Sequence, residues 1–187
     1  MISDRSTRVL QWGALAGLLL VLPGCLLVGH MEHRVERQAD GSALVSVRYI
    51  DLRSDGETDS ALVYDLEVLL DSFASAGEGE RLSPGERMLE KHIGLQGDTL
   101  VVEVLLHAPD LPAVEGFLIQ EGLPTVIVPQ GQWITWTNGA VSRWLEGSLR
   151  IQWSDTSSHL AFDIEPTYST NGRSLAPLFR ERGTPEG

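Results

Sequence analysis

The chain has 187 residues, 42% of them hydrophobic and 21% charged, and carries a formal net charge of −12. That acidity excludes a nucleic-acid binder, whose phosphate partner demands a basic face, and a polybasic grip on anionic lipid. A single cysteine, Cys25, excludes an intrachain disulfide and a multi-thiolate metal site.

In chain order, residues 1–24 have the three-part layout of a secretory signal. Arg5 and Arg8 form a charged head opposed only by Asp4. An apolar stretch runs from Val9 to Leu22, and Pro23-Gly24 then ends any helix before Cys25. Leu26, Leu27 and Val28 lengthen the apolar run towards the ~20 residues that span a bilayer. An uncleaved anchor, a plain signal peptide and an ordinary buried thiol therefore stand as alternatives.

Leu22-Pro23-Gly24-Cys25 resembles the lipobox of bacterial lipoproteins: an aliphatic residue, a variable one, a small one, then cysteine. The resemblance covers residues 1–25 alone. It implies cleavage before Cys25, a diacylglycerol on its thiol, acylation of the new amine, and a membrane attachment through that lipid. Leu26 rather than Asp after the cysteine implies the outer membrane over the inner one. Two or three acyl chains at ~0.8 kcal/mol per buried methylene make a lasting anchor. Removing residues 1–24, whose net charge is +1, leaves 163 residues at −13, the length of one domain.

The body reads as follows. Residues 25–31 are expected as lipidated N terminus and linker, and His30 to Gln38 as a spacer entering the first strand. Asp40-Gly41 is a hairpin turn signal. "ALVSVRYIDLR" alternates with period two, Val45, Val47 and Tyr49 on one face. After a polar loop, Asp59 or Ser60 is placed to cap a helix over about 61–74. Leu62, Leu66, Leu69, Leu70 and Phe73 form its inner stripe, with Asp65, Glu67 and Asp71 outside. "RMLEKHIGLQ" and "TLVVEVLLHA" form a hairpin across Gly97-Asp98, and short strands follow in "GFLIQE", "PTVIVP" and "GQWITWTN". Leu149, Ile151 and Trp153, then Leu160, Phe162 and Ile164, read as a last pair of strands across "SDTSS". Residues 170–187 are expected as a mostly flexible tail, with Leu175, Leu178 and Phe179 able to dock as one turn. The fold class is α+β: a mostly antiparallel sheet of hairpins with one main amphipathic helix on one face, a single domain over 32–169.

Catalytic signatures are missing: no Gly-x-Ser-x-Gly, Ser-x-x-Lys, His-Glu-x-x-His, phosphate loop or dinucleotide fingerprint occurs. His30, Glu32 and His33 have the residue types of a metal site but fall in the expected linker, where nothing fixes geometry. Asp55, Glu57 and Asp59 fit weak calcium binding at best, because the full twelve-residue pattern is absent. No metal and no cofactor is expected. The one constellation with weight is aromatic. Trp133, Trp136, Trp144 and Trp153 crowd the second half, with Trp153 read as core and Trp133, Trp136 and Trp144 as candidate contacts. Alternation places Trp133 and Trp136 on opposite faces. The expectation is a non-enzymatic, lipid-anchored envelope module that binds an envelope protein or glycan. A carrier of a lipid or other hydrophobic ligand is the alternative, and a hydrolase of unfamiliar type a third reading.

Overall fold

The computed structural model describes residues 26–75, 85–166 and 172–182; Cys25 and the leader before it lie outside them. At the Asp40-Gly41 turn, Gly41 takes φ 92° and Asp40 Oδ1 accepts from the Ser42 N–H and hydroxyl. These bonds, the hydroxyl's first, pull the Asp40 carboxyl below its usual pKa. The turn joins β1 (Leu26–Arg37) to β2 (Ala43–Ser54), paired antiparallel from Leu26↔Ser54 to Arg37↔Ala43. Residues 26–31, expected as a linker, and the spacer from His30 are therefore strand. The inward set of β1 is Met31, His33 and Val35, and a histidine in the middle hides the alternation.

The hairpin over β3 (Arg87–Gln96) and β4 (Thr99–Ala108) forms as its sequence predicts, around Gly97 at φ 62°. The remaining strands are β5 (Phe117–Gln120), β6 (Leu123–Val128), β7 (Gln132–Thr137), β8 (Ala140–Arg143), β9 (Leu149–Gln152), β10 (His159–Pro166) and β11 (Arg173–Ser174). Among the described residues they make two antiparallel sheets. The larger runs β3-β4-β2-β1-β10-β7, with β11 on the end of β2; the smaller runs β5-β6-β9-β8. Helices α1 (Asp59–Ser75) and α2 (Ala176–Arg182) complete an α+β fold whose body is mainly sheet.

Four expectations change here. Strands β9 and β10 are not a hairpin: β9 pairs with β6 and β8, β10 with β1 and β7. Their inward sides meet across the two sheets instead, with Trp153, just past β9, 6.1 Å from Phe162 of β10. Asp65, expected outside, is buried at 5% exposure and accepts a hydrogen bond from the fully buried Ser54 hydroxyl, which satisfies a group that is costly to bury alone. The cap of α1 is Thr58, whose Oγ1 accepts from the Ala61 N–H at 3.2 Å. Residues 172–182, expected as tail, are docked, with Leu175, Ala176 and Phe179 in the core.

The core is continuous. The inner face of the large sheet (Val45, Val47, Val104, Leu106, Leu160, Ile164) meets Phe117, Val126 and Ile151 of the small sheet and Leu62, Leu66 and Leu69 of α1. Lys91, level with inward Val104, donates to the Phe73 carbonyl and lies 4.8 Å over its ring, holding the end of α1 down. On β1 and β2 the buried residues change parity at the facing Gly29 and Asp51. Val45, Val47 and Tyr49 point inward before Asp51, then Leu52 and Ser54 after it. Asp51 takes φ 62°, and its side chain crosses the space where a Cβ on Gly29 would stand.

Candidate functional site

The outer face of the large sheet is where chemistry-bearing side chains collect. One register line crosses all six main strands: His92, Glu103, Arg48, Glu32, Asp163 and Trp136. Period-two alternation puts them on one face, and antiparallel pairing sets them side by side. Arg48 is the hub. Its Nε donates to Glu103 at 2.7 Å, one terminal nitrogen to Glu32 Oε2 at 2.7 Å, and the other to Gln96 at 2.8 Å. Arg34, two residues along β1 on the same face, donates to Asp163 Oδ1 and lies 5.1 Å from the centre of the Trp136 ring.

The expected opposition of Trp133 and Trp136 does not hold. Asp163 faces Trp136, yet its neighbour Ile164 faces Ile134, so β7 carries Thr135 as one extra residue. This bulge brings Trp133, opposite Glu165, to the same outer face as Trp136. Both are exposed, at 63% and 49%. Trp144 is not with them: it is half-buried on the β8–β9 connection, with Arg150 4.6 Å from its ring centre. Trp153 is core and donates its indole N–H to Asn138 at 2.6 Å.

The two histidines of "HMEH" part company, because a spacing of three on a strand alternates faces. His33 points inward and stacks flat on Phe162, ring centres 4.6 Å apart. Burial, with the nearby Arg34 charge, holds its pKa down to about 4, against a smaller opposing pull from Asp163. His30 points outward among carboxylates: its Nδ1 is 3.4 Å from Glu165 Oε1 and its Nε2 is 3.9 Å from Glu32 Oε1. Ligand atoms of His30, Glu32 and Asp163 lie within 4.8 Å of one another. Sequence reading noted His30 and Glu32 but missed Asp163 and Glu165, whose strand joins β1 only through non-local pairing.

The carboxylates of residues 51–59 are not gathered. Asp51 pairs with Arg53, and Asp59 with Arg173, each at 2.7 Å. No family model, curated protein or solved structure matches the chain. No helix among the described residues is long and apolar enough to cross a membrane.

Proposed function

We propose that the protein is an exported lipoprotein, anchored through Cys25 and serving as a non-enzymatic binding module of the cell envelope. The observation that carries this reading is the burial of the residues just after Cys25. Leu26, the residue after Cys25, lies in β1, and Leu26 and Val28 are core side chains. The residues that lengthened the apolar run are thereby claimed by the fold. What remains, Val9 to Leu22, falls short of the ~20 residues of a span and suits the apolar region of a cleaved signal. Acyl chains on Cys25 would then hold the Leu26 end of the large sheet against the bilayer, with the outer membrane favoured by Leu26.

The binding face of this reading is Trp133 and Trp136 beside Arg34 and Glu165. Flat indole faces flanked by hydrogen-bonding groups suit a sugar ring or a peptide of the envelope. Leu62, Leu66 and Leu69 are packed into the core, which favours a filled domain over a carrier whose helix lines a ligand cleft. We also read α1 as the principal helix, on its length and the depth of its leucines.

The test pairs two variants of the full chain in its native host. Cys25→Ser is expected to release the protein from the membrane fraction. Trp133→Ala with Trp136→Ala is expected to leave it anchored and folded while abolishing in-cell cross-links to envelope protein or glycan. Membrane retention of Cys25→Ser would refute the anchor, and unchanged cross-links in the double variant would refute the face.

A further inference from the structure

We propose that His30, Glu32 and Asp163 form a binding site for a divalent transition-metal ion of the zinc type. The inference does not rest on the anchor or on what the tryptophans bind, although the site borders the tryptophan face and shares Arg34 and Glu165 with it. All three residues sit on paired strands, two from β1 and one from β10, so the backbone ladder fixes their spacing in a way no linker would. Their ligand atoms already converge within 4.8 Å of one another. Closing to the ~2.0–2.2 Å of zinc–nitrogen and zinc–oxygen bonds needs only rotamer adjustment.

The neighbours are arranged as an outer shell. Arg48 takes Oε2 of Glu32, leaving Oε1 directed at His30; Arg34 takes Oδ1 of Asp163, leaving Oδ2. Each arginine thus orients a carboxylate and keeps one oxygen for the ion. On the far side of the imidazole, Glu165 Oε1 stands 3.4 Å from Nδ1. That is the carboxylate–histidine arrangement that fixes the ring and presents Nε2 to a metal. Asp163 is only 13% exposed, so the floor of the site is sheltered while its mouth opens on the solvent face. An imidazole among the donors selects zinc-type ions over calcium and magnesium, which take oxygen sets. Three protein donors leave a fourth position for water or a partner's group.

Zinc titrated calorimetrically into the metal-free full chain in detergent tests this directly. One zinc ion per chain is expected, with calcium and magnesium at least 100-fold weaker. His30→Ala should weaken zinc at least 30-fold. Glu165→Gln, at an exposed side chain, should weaken it about 10-fold, and His92→Ala, at the far end of the same register line, should leave it unchanged. Melting midpoints in EDTA should agree across the variants, separating ligand loss from unfolding; if His30→Ala melts early, Glu165→Gln decides. Absence of zinc binding, equal binding of calcium, or full affinity in Glu165→Gln together with His30→Ala would overturn the site.

Discussion

At His33 the fold suppresses a charge. An unfolded chain takes up this proton near pH 6.5, whereas the folded one does so only near pH 4, because burial against Phe162 disfavours the imidazolium. The unfolded state therefore binds more protons between those values, so stability is complete above pH 6.5 and falls as pH drops towards 4. The loss reaches up to about 3 kcal/mol. Urea midpoints at pH 7 and pH 5 should differ accordingly in the wild type, and His33→Leu should remove that part of the difference; an unaltered slope in the variant would reassign it. A second residue-scale constraint is steric. A Cβ on Gly29 would stand 2.8 Å from Asp51 Oδ2 and 2.9 Å from Asp51 Cβ, so Gly29→Ala should cost about 1–3 kcal/mol. Asp51→Gly removes the obstructing side chain and relieves the strain of a positive φ on a residue that carries a Cβ. Adding it should recover most of the loss, and a purely additive double mutant would show that the two do not oppose each other.

Among the elements, β7 makes the sharpest prediction. With Thr135 bulged, Trp133 and Trp136 share the solvent face; in a straight strand one of them would be buried. Trp133→Phe and Trp136→Phe should each remove a red-shifted, acrylamide-quenchable emission, whereas Trp153→Phe should remove a blue-shifted, protected one. Loss of a protected component in either of the first two would place that indole inside. The hairpin of β3 and β4 was readable because its signals are local: alternating apolar residues and a glycine needing positive φ. The helix was readable from leucines at helical spacing, apart from Asp65, which is inside because the buried hydroxyl of Ser54, at the end of β2, meets it, and helical spacing does not record that contact. The partners of β9 and β10 were not readable, since period-two patterning records which face a residue takes and is silent on the neighbouring strand. The same silence hid the outer-face cluster. His30 and Glu32 are visible as a pair, but Asp163 and Glu165 join them only when β10 docks on β1.

For the molecule as a whole, the large sheet carries a sealed inner face and a charged, tryptophan-edged outer one, and the residue after Cys25 already lies in its strand β1. A lipid on that sulfur would leave almost no tether, so the sheet's Leu26 end, with β11 alongside Ser54, would ride close to the bilayer. The acidic body would keep its distance from anionic headgroups by repulsion, making the acyl chains the sole grip. The most direct check is the intact mass of the native polypeptide and of its N-terminal peptide. A chain beginning at Cys25, heavier than residues 25–187 by a diacylglycerol with or without an amide-linked acyl group, is the predicted result. An unmodified thiol on a chain that still begins at Met1 would contradict it.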